Sequence, residues 1–336
     1  MMVKAINIGT FTVDIIAYDL PRIAPPGEIV YVERPIDMYI GGHASNVSID
    51  MVKLGVIRDV VAIGALGEDI FARIILNELK RYGVKVEPQI VRNVGTARNV
   101  ILVVKGEDRR FHIYEGANPY LNHKHVMNSL ISLKPKYMYL ALGVSRNLDK
   151  NIEKVIREAR RLGVLTLVDI AYVNETAIEA LRGIISDVDI VHLNEYELRM
   201  LFNIPRSLDL LTALKELVNV SPKLLTITLG SRGLIALTKE GKLMIQPSFN
   251  ITPKDPTGAG DAFCAGMLTF MELRRLNIMN LSDNDLKELL LFAQASGASA
   301  TLAAGATTAV SKEVVEELIE DQGGKIISSS KLINLK

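Results

Sequence analysis

The sequence contains no tryptophan and a single cysteine, Cys264. One thiol closes no disulfide within the chain and builds no thiolate zinc cluster, so a reducing, cytoplasmic setting is expected. Neither sign of charge is in excess: 39 Lys and Arg against 38 Asp and Glu leave a formal net charge of +1. Nucleic-acid binding normally shows as a basic surplus, and no such partner is expected. Long apolar runs are missing too. The nearest approach, "LKELLLFAQASGASATLAAGA" from Leu286 to Ala306, carries Lys287, Glu288 and many small residues. It reads as a buried helix, and no membrane partner is expected. The first twenty residues lack the apolar core and small-residue cleavage site of a signal peptide. There is no internal repeat and no low-complexity tract.

What is present suits a large α/β protein. Of 336 residues, 49% are hydrophobic and 23% charged, enough for a sizeable core. "VKAINIGT", "DVVAIGALGED", "KYMYLALG" and "LTLVDIA" are short apolar runs and predict buried strands. "DIFARIILNELKRYGV", "NIEKVIREARRLGV" and "ETAIEALRGII" have helical spacing. Their alternation implies βαβ crossovers and a mainly parallel sheet. Two N-terminal stretches break the rhythm. "IVYVERPIDMYIGG" contains a proline and predicts an exposed or edge strand. "NVGTARNVILVVKGEDRRFHIYEGAN" predicts a hairpin around Lys105–Arg109. Together they suggest a small second sheet. The tail "QGGKIISSSKLINLK" is compatible with a loose end or a last strand.

The stretch "ITPKDPTGAGDAFCAGML", Ile251 to Leu268, carries the chemistry. Gly258, Ala259 and Gly260 lead into what reads as a helix. Unpaired N–H groups and the macrodipole favour an anion at such a start, and glycine lets it approach the backbone. Asp261 brings negative charge to the same place. That makes sense for a base that deprotonates a hydroxyl while the amides hold a transferring phosphoryl group. Taken alone, Asp261 also reads as a helix cap. The loop is neither a Gly-x-x-x-x-Gly-Lys-Ser/Thr phosphate loop nor a dinucleotide fingerprint.

With these residues in hand, the chain resembles the ribokinase or PfkB-type carbohydrate kinases. "DPTGAGDAFCAGM" is similar to their C-terminal signature and "GGHASNVSIDMVKLG" to their N-terminal one. Asp14, "YEGAN" (Tyr114–Asn118), "NEYE" (Asn194–Glu197), "TLGSRG" (Thr228–Gly233) and "AAGATTA" (Ala303–Ala309) follow in the right order. The resemblance covers nearly the whole chain.

It implies one ribokinase-like domain over residues 1–336: a mostly parallel sheet flanked by helices, with a β lid from segments about 11–42 and 93–118. It implies ATP-dependent phosphorylation of an alcohol, with Mg²⁺. Asp261 would be the base, and the N–H groups of Gly258, Ala259 and Gly260 the anion hole. Asp14, Gly41, Gly42 and Asn46 would hold the acceptor. Asn194 and Glu197 would organise Mg²⁺ and phosphate, with Glu197 facing the metal. Thr228, Gly230 and Gly233 would lie along the nucleotide, and Gln294 and Gly305 near the adenine. His43 reads as an exposed loop residue, with a sugar contact as the alternative. Relatives often hold K⁺ on the first aspartate, here Asp255, and nearby carbonyls; Ala309 stands where a serine often completes that ring. Gly143 stands where ribose-specific relatives carry a carboxylate, which argues against ribose and leaves room for a bulky acceptor. A sugar, a nucleoside or a cyclic polyol remains open, and the open lid edges suggest a homodimer. Two other classes are weighed: a catalytically silent sensor of the same fold, and an NAD-dependent oxidoreductase.

Overall fold

A computed structural model describes residues 3–335. Fourteen strands are assigned among them: β1 (Ala5–Ile8), β2 (Thr12–Leu20), β3 (Ile36–Gly41), β4 (Val60–Leu66), β5 (Lys85–Ile90), β6 (Arg98–Val104), β7 (Arg110–Tyr114), β8 (Tyr137–Leu142), β9 (Leu165–Ile170), β10 (Ile190–Asn194), β11 (Leu224–Thr228), β12 (Leu234–Thr238), β13 (Lys242–Gln246) and β14 (Lys331–Asn334). Ten of them form one sheet in the order β14-β13-β12-β11-β10-β9-β8-β1-β4-β5. From β5 to β11 neighbours run parallel; β12, β13 and β14 are added antiparallel.

The strand sequences explain the layers. β4 and β8 are buried at every position, as parallel strands covered on both faces must be. Successive side chains alternate between two apolar layers. Ala5, Tyr137 and Tyr139 join the layer under helices His43–Lys53, Ala259–Leu273 and Asp283–Ala300. Ile6, Met138 and Leu140 join the opposite layer, under helices His123–Leu133, Ile152–Arg161 and Glu175–Ile184. The result is a three-layer α/β structure.

The four remaining strands form a separate sheet in the order β3-β2-β6-β7, projecting as the expected lid. The hairpin around Lys105–Arg109 is present, with β6 and β7 antiparallel. The proline-containing stretch becomes a strand only after Pro35, and it forms an edge. The tail resolves into structure: helix Lys312–Ser329 is followed by β14, paired with β13.

Sheet polarity places the functional residues. The C-terminal ends of β1, β8, β10 and β11 lead to Thr10, Gly143, Asn194 and Thr228. In open parallel sheets the ligand crevice lies beyond these ends. The lid leaves the main sheet there, because β2 follows β1 after three residues.

Candidate active site

The glycine loop enters helix Ala259–Leu273 with Gly258 as its N-cap, at φ 81°. A Cβ on Gly258 would lie 2.6 Å from Ala306, so only glycine allows the loop to pack against the turn after Ala300. Gly260 differs: an added Cβ would meet only His192, at 3.5 Å. Its open side faces a cavity. The Ala259 N–H is tied back to the Pro256 carbonyl at 3.3 Å.

Asp261 lies in the first turn of that helix and is 8% exposed. Its Oδ2 accepts the Asn46 side-chain N–H at 2.8 Å, and its Oδ1 has no partner. Burial raises its carboxyl above the ordinary value, against the pull of His43 and the Asn46 bond. A buried carboxylate with one free oxygen at a helix start has the makings of a general base. Asn46, which on its own could be read as a cap, instead sits inside helix His43–Lys53.

One turn further along, Asp50 is fully buried and neither of its carboxyl oxygens has a partner. Burial raises its pKa well above the usual range, and the nearby Asp261 adds to this while Lys53 opposes it.

On the small sheet, Asp14 of β2 receives the Asn99 side-chain N–H at 2.7 Å. Asn99 is its partner in the β2–β6 register, a relation that only strand pairing creates. Burial pushes Asp14 up to about 6, the Asn99 bond lowers it, and Asp255 adds to the rise. A Cβ on Gly41 would lie 2.4 Å from the Asp14 carboxylate, so glycine there gives the carboxylate its place. Gly42 caps helix His43–Lys53 at φ 91°. His43 is a half-buried first helical residue rather than a loop residue. Thr10 Oγ1 accepts its backbone N–H at 3.0 Å and faces its Nδ1 at 3.0 Å. Its ring meets Tyr172 edge-on, with centroids 6.4 Å apart. Burial raises the Tyr172 hydroxyl, as do Glu115, Asp14 and Asp261. The expected room at Gly143 does not exist. Its φ is +86°, and a Cβ would lie 2.1 Å from the Tyr172 carbonyl.

On the other side of the loop is a cavity of about 410 Å³. Asn194, Thr228, Gly230, Gly233, Gln294 and Gly260 all line it. Gln294 donates to Gln246 Oε1 at 2.7 Å and to the Pro247 carbonyl at 3.3 Å. Glu197 closes a capping box: its Oε2 accepts the Asn194 backbone N–H at 2.7 Å and its Oε1 the side-chain N–H at 2.6 Å. Under the cavity, Asp169 and His192 form a buried pair 3.2 Å apart. Burial opposes a charged imidazole, yet the Asp169 carboxylate outweighs it and raises His192.

Gly305 and Asp255 sit elsewhere. Gly305 lies against Tyr39, and its N–H is 3.4 Å from Asp255 Oδ2. Asp255 Oδ1 accepts from Arg109 Nη1 at 2.7 Å and from the Thr257 N–H at 2.9 Å. Arg109 comes from the lid turn, a contact the sequence did not announce. The carboxylate expected to face a cation therefore already carries a guanidinium.

Asp261, the glycine loop, Asp14 and the cavity thus meet at the C-terminal ends of the parallel strands, beside the small second sheet. The family model described as "PfkB: pfkB family carbohydrate kinase" matches residues 2–313. The chain belongs to that family, whose members are phosphotransferases with an alcohol acceptor. Among curated relatives, "Probable fructokinase-5" of Arabidopsis thaliana is 28% identical over 280 residues, covering 80% of this chain and 84% of the relative. Among solved structures, ribokinase from Giardia lamblia superposes with a TM-score of 0.80 at 22% identity, covering 96% and 99% of the two chains. Fructokinase with bound ATP from Xylella fastidiosa gives 0.78 at 23% identity, covering 96% and 100%. None of the helices among the described residues is long and apolar enough to cross a membrane.

Asp50 yields a stability prediction. Its folded pKa exceeds its unfolded value near 4, so its burial is harmless below about pH 4 and increasingly costly as pH rises toward the folded pKa. Asp50→Asn should gain stability over wild type by about 1.4 kcal/mol per pH unit in that window. Urea unfolding at pH 4, 5, 6 and 7 measures this; a difference independent of pH would refute it.

Proposed function

We propose that the chain transfers the γ-phosphate of ATP to a hydroxyl of a sugar, polyol or nucleoside. The observation that carries this reading is Asp261, with one unpartnered oxygen, at the helix start bearing the Gly258–Gly260 cradle. Asp261 accepts the acceptor's proton as the hydroxyl oxygen attacks the γ-phosphorus. The bond to the bridging oxygen breaks and ADP leaves. The Gly258 and Gly260 amides and the helix dipole stabilise the phosphoryl oxygens in transit. Asp14, Gly41, Gly42 and Asn46 hold the acceptor, with Asn99, His43 and Tyr172 beside them.

The cavity suits a nucleotide. It is apolar along Phe263 and Ile251, and Gly233 on its wall packs against the Gln246 carbonyl, where a Cβ would lie 2.1 Å away. Mg²⁺, when bound, neutralises phosphate oxygens. Asn194 and Glu197 would hold it through water, because both Glu197 oxygens already accept from Asn194. K⁺ is given no part, since Arg109 neutralises Asp255. The lid's outer strands β3 and β7 expose Ile36, Met38, Phe111 and Ile113, and we propose that a second copy covers them.

Three measurements test this. With the acceptor found by screening ATP consumption over sugars, polyols and nucleosides, Asp261→Asn should lose about 10²–10⁴-fold in kcat while KM for ATP stays within a few-fold; near wild-type turnover would sink the assignment. Asp14 is protonated below about pH 6 and then accepts hydroxyl hydrogen bonds poorly. The acceptor KM should therefore rise as pH falls through 6, and Asp14→Asn should abolish that dependence. A pH-independent KM in wild type would remove Asp14 from the acceptor site. Light scattering at micromolar concentration should give the mass of two chains, and a monomer would refute the lid dimer.

A further inference from the structure

Beneath the cavity lies a polar chain that the transfer reaction does not account for. Asp169 and His192 are buried at 5% and 3% exposure. Tyr139 donates its hydroxyl to Asp169 Oδ2 at 3.2 Å. Asp169 Oδ1 faces His192 Nδ1 at 3.2 Å, and His192 Nε2 faces Thr228 Oγ1 at 3.2 Å. A carboxylate only accepts, so Nδ1 carries a hydrogen and donates it. The ring is thereby fixed in its plane, and Nε2 is left to the Thr228 hydroxyl. Thr228 ends β11 and lines the cavity. The ring also lies under Gly260 and packs on Phe263 with centroids 4.9 Å apart.

Asp169, His192 and Cys264 bring their ligand atoms within 4.8 Å of one another. That group is better explained without a metal. The carboxylate and the ring already satisfy each other at hydrogen-bond distance, and the buried Cys264 thiol is pushed well above its ordinary pKa by burial and by Asp169. A thiol held protonated is a poor ligand.

We infer that His192 is a positioning residue for the nucleotide's phosphates. Braced by Asp169 at Nδ1, it donates from Nε2 to Thr228 Oγ1, which leaves the Thr228 hydroxyl hydrogen to point into the cavity, and its ring supports Gly260 from below. The inference rests on the nucleotide occupying this cavity. It adds a support that none of the motifs names: His192 sits two residues before "NEYE" and Asp169 lies in a strand read only as core. A side-chain hydroxyl on a cavity wall samples three rotamers unless something selects one. Such support of a contacting group is what keeps it in productive geometry.

The test measures binding of AMP-PNP with Mg²⁺, and of Mg²⁺-tripolyphosphate, by calorimetry. His192→Phe keeps the stacking on Phe263 and deletes both hydrogen bonds. Thr228→Val removes the hydroxyl at the cavity wall and the far end of the same chain while leaving the His192–Asp169 pair in place, and so guards against a His192 variant that does not fold. Each should weaken both probes about ten-fold, the loss of one hydrogen bond to a charged group. The double variant should be no worse than either single one, since both break one chain. His192→Gln, which can still reach Thr228, should recover part of the loss. Additive losses, or a His192→Phe protein that binds both probes like wild type, would overturn the inference. So would a loss confined to AMP-PNP, because it would place the effect at the base or ribose. A wild-type protein that binds neither probe overturns the nucleotide reading itself, and the inference with it.

Discussion

The hydrogen bond from Asn46 to Asp261 joins groups 215 residues apart in sequence. Much of the site depends on it. Asn46 belongs to the first helix after the lid strands, and Asp261 to the helix that starts at the glycine loop. Their bond holds the helix that follows the lid strands against the start of the helix after the glycine loop. Burial raises the Asp261 carboxyl, and the Asn46 bond together with His43 opposes that rise.

The rest of the site is arranged around that pairing by glycines and by shared carboxylates. Gly258 is required by its positive φ and by the Ala306 contact, so the cradle's shape is dictated by the turn after helix Asp283–Ala300. Asp255 is the tie between lid and cradle. It receives Arg109 from the lid turn and Thr257 from the loop just before Gly258. Tyr18 of β2 approaches its other oxygen at 3.4 Å. The pair of Arg109 and Asp255 is mostly buried, at 23% and 5% side-chain exposure. Breaking such a pair leaves a stranded charge, which is costly. Lid and cradle are therefore electrostatically coupled.

Asp50 shows the reverse situation. Its carboxyl oxygens have no partner, it lies one turn below Asn46, and burial raises its carboxyl well above the ordinary range. Its neighbours on the same helix, Ser48 and Asn46, are both hydrogen-bonded. A polar residue left unsatisfied beside Asp261 departs from the rule that buried groups are paired. Its closeness to Asp261 puts a second acid in the same apolar gap between two helices.

The sequence alone determined the layered α/β fold, the lid and the kinase family. Strand runs such as "YMYLALG" and helical spacing are local properties, and the Gly-rich signature places amides at a helix start wherever the helix goes. It also marked Asp261, Asn46, Asp14 and seven of the seventeen residues lining the cavity. Tertiary structure decided what these residues touch. Asn99 reaches Asp14 only through the β2–β6 register, Arg109 reaches Asp255 only because the lid folds over, and His192 meets Asp169 and Thr228 only where three parallel strands lie side by side. Gly143 looked like open space and is filled by the Tyr172 backbone. Spacing in sequence encodes which residues share an element, whereas pairing between elements sets which charges and hydroxyls meet. That pairing is settled by sheet register and packing across hundreds of residues, which no short window contains.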